Sequence, residues 1–341
     1  MNQSPAKILI CIGSGGVGKT SVAAAIGYKK AMEGQSVLVL TIDPSQRLKT
    51  TLKINDSGDA TQIQIENCKG KLWACVVNPK RVFDDFIRRA ASKDQKVEKL
   101  LQNKLYQQLS TSLSGSQEFT ALEKLYEAWS SQLYDVIILD TPPAQHAIDF
   151  LNSPQKLSNL FQEQIASWLR SPEKKQGIIR SLFQAGTQQV LKSLEYLTGS
   201  DFIEQLKDFF ESIKDWQQKL EDRTIQVQRL LTSPNTSFIL ITSLDHAKLA
   251  EALWLIKEIR KGGFNLSTVI INRYQPVWMN KNFQVPNTDF GQLYRKYLDF
   301  QIKREKLIEN FNPEAKITKL PELAGDINEL NGVAGLATFI E

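Results

Sequence analysis

Short runs of consecutive apolar residues, each bounded by turn-forming residues, set the rhythm of this chain. They occupy residues 7–12, 36–42, 72–77, 136–139, 237–242, 267–271 and, more weakly, 315–318. Unbroken apolar runs of this length, without polar alternation, suit strands covered on both faces. Between most of them lie segments of helical period: 20–33, with Val22, Ala25, Ile26 and Lys29 in step, then 82–91 and 118–131. Strands alternating with helices predict a parallel sheet clad on both sides.

Two intervals, 79–132 and 151–235, are too long for simple crossovers. The second has no strand pattern and carries apolar residues at helical spacing, from Leu157, Leu160 and Phe161 through Trp168 to Phe209, Phe210, Ile213 and Trp216. The expected fold is therefore α/β: one mainly parallel, doubly wound sheet spanning 1–341, with an all-helical subdomain inserted at 79–132 and 151–235. The aromatic-rich stripe of the insert has two readings, the subdomain's own core or a seat for a hydrophobic client.

Composition narrows the partners. The 341 residues carry 42 basic and 37 acidic side chains, a net charge of only +5. The densest basic patch, Arg295, Lys296, Lys303, Arg304 and Lys306, is interleaved with Asp299 and Glu305 on a predicted helix, so a solvated face is expected rather than a nucleic-acid footprint. Cys11, Cys68 and Cys75 have no metal-ligand spacing and there are two histidines, so no zinc site is expected. Without a signal-peptide pattern, or any apolar run near the ~20 residues that a bilayer needs, a cytoplasmic protein is expected.

The chemistry begins where the first strand ends. Gly13-Ser14-Gly15-Gly16-Val17-Gly18-Lys19-Thr20 fits G-x-x-x-x-G-K-[ST], with a strand entering and a helix leaving as the pattern requires. In such a loop backbone N–H groups and the helix N-terminus receive phosphate, the lysine adds charge and the threonine hydroxyl faces Mg²⁺. Asp43 closes the second strand, on the carboxyl edge where open α/β sheets bind ligands. It can orient a water for attack on the γ-phosphate and can equally cap a helix opening at Pro44. Asp140, after the run 136–139, fits a strand-end carboxylate serving Mg²⁺. Thr20, Asp140 and Asp43 are the candidate metal ligands, and Lys19 and Asp43 the candidate catalytic residues. The loop from Thr141 to His146 reads as a switch, with His146 either mechanistic or simply solvated. Asn272 ends another strand, placed to contact a base or to start a turn.

This set of motifs resembles the ArsA family of ATPases, arsenite-pump motors and targeting factors for tail-anchored membrane proteins. The resemblance rests on residues 13–20, 41–48, 140–146, 243–251 and 271–273, with a weaker match at 320–325. It implies Mg²⁺ and ATP as cofactors, hydrolysis to ADP and phosphate, and a dimer. It makes Asp43 the water-polarising residue and Asp140 the Mg²⁺-linked one. It gives Asn272 the adenine and Asp245 a nucleotide-interface role, and brings Ser21, Arg273 and Pro321 into the nucleotide-contacting set.

The departures from the family narrow the reading. Where the family has a lysine reaching across the dimer to its neighbour's phosphates, this chain has Ser14, and trans-acting cations in related chemistry are worth about 10³–10⁵ in rate. Three alternatives follow: hydrolysis is slow, another residue substitutes, or a lysine-bearing paralogue completes a heterodimer in place of a homodimer. The zinc-binding Cys-x-x-Cys is absent, and so is a cysteine cluster for arsenite. With three methionines, the chain lacks the methionine-rich groove of the targeting factors. A MinD- or ParA-like positioning ATPase and a weakly hydrolytic regulatory subunit stand as alternatives, although the tail 331–341 has none of the basic residues of a membrane-seeking helix.

Overall fold

The computed structural model describes residues 7–42, 52, 54, 58–90, 97, 101, 117–142, 217–276, 285, 287–311, 314–325, 327 and 329–340. The strands are β1 (Lys7–Gly13), β2 (Ser36–Thr41), β3 (Thr61–Ile63), β4 (Lys71–Val76), β5 (Val136–Asp140), β6 (Thr236–Thr242), β7 (Leu266–Ile271) and β8 (Lys316–Lys319). They form one sheet in the order β3-β4-β2-β5-β1-β6-β7-β8, parallel except for the antiparallel pairing of β3 with β4. After β1 the chain moves to one side of the sheet, and from β5 it crosses over β1 to the other. The direction therefore reverses around β1, the position at which such sheets bind their ligands.

Each apolar run of the sequence lies in a strand, and the central strands are buried along almost their whole length, as two-sided cover demands. The strand absent from the sequence reading is β3. Only three residues long and half exposed, it pairs with β4 in the register Thr61 with Ala74, Gln62 with Trp73 and Ile63 with Leu72.

Helix α1 (Lys19–Met32) covers one face of the sheet through Val22, Ala23, Ala24 and Ile26. Its closest approach is at Gly27, where a Cβ would stand 2.6 Å from a methyl of Val39, 3.2 Å from Leu72 and 3.6 Å from Ile138. The alanine-rich face and this glycine let the helix lie directly on β2, β4 and β5. A short C-terminal helix, α7 (Leu330–Ala337), adds Val333, Leu336 and Ala337 to the same apolar cluster, and Lys29 donates to the carbonyl of Ile340.

The remaining described helices are α2 (Pro79–Ala90), α3 (Gln117–Ser130), α4 (Gln217–Leu231), α5 (His246–Lys261) and α6 (Asp289–Phe311). Asn78 opens α2, its carboxamide oxygen accepting from the Arg81 N–H at 3.1 Å.

The chain divides into two compact units. One comprises Met1–Val77, Lys124–Asp149 and Leu230–Glu341 and holds the whole sheet; the other comprises Asn78–Glu123 and Phe150–Arg229. Within the second unit the carboxylate of Glu123, 1% exposed, sits 3.3 Å from the Arg89 guanidinium and 3.4 Å from that of Arg223. Two cations around one buried anion offset its desolvation. The apolar residues of the expected stripe from Leu157 to Trp216 lie outside the described residues.

Helix α6 departs from expectation. Arg295, Lys296, Asp299, Lys303 and Lys306 do lie on its solvated face. Beside them Phe290, Leu293, Tyr297, Phe300, Leu307 and Phe311 form an apolar stripe that is exposed among the described residues, Phe290 to 71%.

The contact at Gly27 yields a stability prediction. Gly27→Val forces three extra heavy atoms between α1 and the sheet and lowers unfolding free energy by about 1–3 kcal/mol, read as a lower urea midpoint at unchanged m-value.

Candidate nucleotide site

The loop between β1 and α1 lies along the carboxyl edge of the parallel sheet, beside the ends of β2, β5, β6 and β7. Helix α1 starts from Gly18, whose φ of 90° is left-handed and suits glycine, and no side chain caps the helix. Its first-turn N–H groups thus point at the loop without a competing side-chain acceptor, as a phosphate cradle requires.

Lys19 is buried, 8% exposed, and its ammonium donates to the carbonyl of Ser14 at 2.9 Å. The lysine thereby closes the loop upon itself. A ligand oxygen brought into the loop would compete with that carbonyl for the ammonium.

Next to Lys19, the Thr20 hydroxyl donates to Asp140 Oδ2 at 2.7 Å. Thr41, at the end of β2, donates to the same oxygen at 3.0 Å. Register explains this convergence: Asp140 pairs with Cys11 of β1 on one side and with Thr41 of β2 on the other. Asp140 is fully buried, so its charge depends on such donors. Thr141 continues the tie, its hydroxyl and N–H both donating to the Cys11 carbonyl, at 2.8 and 3.2 Å. The sequence places Thr41 and Thr141 inside motifs but assigns neither hydroxyl a task of its own. A polar residue closing an otherwise apolar strand was the available signal at both.

The Cys11 thiol lies beneath this edge. Burial first, and the neighbouring Asp140 charge second, push its deprotonation far above the ordinary thiol range, with Lys19 opposing. Cys11 is a neutral packing residue here, not a nucleophile.

Asn272 stands on the other side of the loop. Its backbone N–H donates to Thr242, and its side-chain nitrogen donates to the carbonyl of Val17 at 2.8 Å. A Cβ on Gly18 would stand 2.5 Å from that nitrogen. Asn272 therefore braces the phosphate loop from behind, a role that its position at a strand end alone did not reveal. The segment after it is also held. Arg273 takes a left-handed φ of 53°, and the N–H of Tyr274 donates to Leu320 at 2.9 Å. The Tyr274 hydroxyl donates to Glu305 at 2.9 Å; burial first and this bond second push its pKa up to about 12. Lys319 pairs with the same carboxylate. Pro321 sits between this ion pair and the bridge of Pro276 with Glu322.

Asp245 is placed differently from the loop residues. It is the N-cap of α5, its carboxylate accepting from Ala247 N–H at 3.0 Å and Lys248 N–H at 3.4 Å. Ser21 lies in the first turn of α1 and is half-buried, and Arg273 is exposed. Asp43 and His146 lie outside the described residues.

Ser14 is the unusual member. It is 1% exposed, and its hydroxyl makes no hydrogen bond among the described residues. Leaving such a group unsatisfied costs about 1–3 kcal/mol.

The donor set suits a hard cation with phosphate. A threonine hydroxyl and one buried carboxylate are oxygen ligands, and no group of three His, Cys, Asp or Glu that could cage a metal occurs among the described residues. Mg²⁺ is characteristically held this way, by one or two protein oxygens with the rest from phosphate and water.

Among the described residues no helix is long and apolar enough to cross a membrane. The chain matches the family described as anion-transporting ATPase over residues 6–341. It is similar to the ATPase GET3 of Podospora anserina, 23% identical with 100% of this chain and 91% of the relative covered. It also resembles ATPase ASNA1 homolog 1 of Paramecium tetraurelia, 25% identical over 96% and 89%. A protein of Aquifex aeolicus named as an arsenical pump-driving ATPase is 24% identical over 98% and 78%. With a P-loop on a mainly parallel α/β sheet and a family match across nearly its whole length, the chain belongs to the ArsA family and is an ATPase.

Proposed function

We propose that this chain binds ATP with Mg²⁺ in the loop from Gly13 to Thr20 and hydrolyses it as part of a dimer whose nucleotide cycle governs capture of a protein client. The observation that carries the ATP and Mg²⁺ reading is the hydrogen bond from Thr20 to Asp140. It joins the hydroxyl that begins α1 to the carboxylate that ends β5, two oxygens suited to one hard cation.

In this reading Thr20 and Asp140 hold Mg²⁺, which when bound neutralises charge on the transferring phosphoryl group. Lys19 leaves the Ser14 carbonyl for the phosphates, and the α1 N-terminus receives them. Asp43 orients the attacking water. One N–H of the Asn272 amide goes to Val17, leaving its second N–H and its carboxamide oxygen for the donor–acceptor edge of adenine. Ser21, Arg273 and Pro321 complete the nucleotide surroundings, and Asp245 acts from the start of α5.

The dimer and the client rest on likeness to relatives named GET3 and ASNA1. The exposed apolar stripe of α6 supports a partner of some kind. A homodimer and a heterodimer with a paralogous ATPase both fit, in the cytoplasm and without nucleic acid, zinc or arsenite as ligands.

Asp43→Asn is expected to retain ATP binding and lose turnover by at least about 100-fold in a phosphate-release assay; full activity removes Asp43 from the mechanism. Asp140→Asn weakens Mg²⁺ affinity in the presence of ATP by about 10–100-fold, measured by Mg²⁺ titration of nucleotide binding. Native mass measurement with ATP is expected to give twice the chain mass. A persistent monomer that acquires turnover only with a second ATPase assigns the heterodimer.

A further inference from the structure

The buried hydroxyl of Ser14 is the group in the loop for which the site described so far supplies no task. A serine that had merely replaced an outward-reaching lysine would be expected at the surface, exchanging hydrogen bonds with water. Ser14 is instead 1% exposed, with its hydroxyl unpartnered among the described residues. Buried polar groups are nearly always satisfied, so an orphan within a ligand-binding loop points to a partner that arrives with the ligand.

Its neighbour narrows that partner. The Ser14 carbonyl holds the ammonium of Lys19 at 2.9 Å, so residue 14 occupies the end of the loop that Lys19 serves. A P-loop lysine reaches the β- and γ-phosphates, whereas the loop backbone receives the α- and β-phosphates. A hydroxyl at the lysine's end is placed for the outermost phosphate.

We propose that the Ser14 hydroxyl donates a hydrogen bond to an oxygen of the terminal phosphate of a bound nucleoside triphosphate, within its own subunit. This rests on the ATP-site reading above and extends it. Ser14 is then a positioning and specificity residue, a neutral donor that distinguishes triphosphate from diphosphate. Because the contact is uncharged and made in cis, triphosphate recognition at this position does not wait for a partner's lysine.

The test compares wild type, Ser14→Ala and Lys19→Ala in calorimetric titrations with ADP and with a non-hydrolysable ATP analogue, each with Mg²⁺, alongside melting of the ligand-free proteins. Ser14→Ala is expected to weaken analogue binding by about 3–10-fold while leaving ADP affinity within about twofold. Its ligand-free melting temperature should equal or exceed that of wild type, because the substitution deletes an unsatisfied buried group. Unchanged analogue affinity overturns the proposal. Equal losses for ADP and analogue also overturn it, since they mean the substitution disturbed the loop as a whole. Failure of the parent reading looks different: wild type itself binds neither nucleotide, or Lys19→Ala binds both as well as wild type.

Discussion

The buried carboxylate of Asp140 organises this molecule's working edge. It lies at the end of a strand flanked on both sides, fully removed from water, and an anion in that position is tolerated only with donors around it. Thr20 and Thr41 supply them from two different elements, the start of α1 and the end of β2. One oxygen thus fixes where the phosphate loop's helix begins relative to the neighbouring strand. Burial first, and this same charge second, raise the cost of ionising Cys11 and keep its thiol neutral.

Support for the loop is two-sided. Asp140 holds it through Thr20, and Asn272 holds it through the Val17 carbonyl from the strand on the far side of β1. The Asn272 segment is held in turn by Tyr274, Glu305 and Lys319, so bracing of the nucleotide site extends onto α6. A substitution at Asn272 therefore removes a brace of the phosphate loop itself.

Much of the fold was legible because buried parallel strands need unbroken apolar runs, and those runs are conspicuous. The β3 strand escaped because three half-exposed edge residues need no such run, although Gln62, Ile63, Gln64 and Ile65 do alternate. At the edge of the sheet, the placement of Lys19 and Thr20 at the start of a helix and of Asp140 at the end of a strand was legible from spacing. Thr41 and the bond from Asn272 to Val17 were not. Both are consequences of which strands become neighbours, and the insertion of β5 between β2 and β1 is a topological fact that local pattern does not carry. Asp245 shows the converse, a residue singled out for the ligand that the backbone of α5 already employs as a cap.

The bracing of Val17 by Asn272 spans 255 positions of sequence. A ribosome adding about 5–20 residues per second needs roughly 10–50 s to cover that distance. Throughout that interval the phosphate loop exists as sequence without its rear support, and for most of it β6 and β7, which extend the sheet beyond β1, have yet to be made. The nascent chain therefore carries a recognisable nucleotide motif well before the loop that holds it is braced.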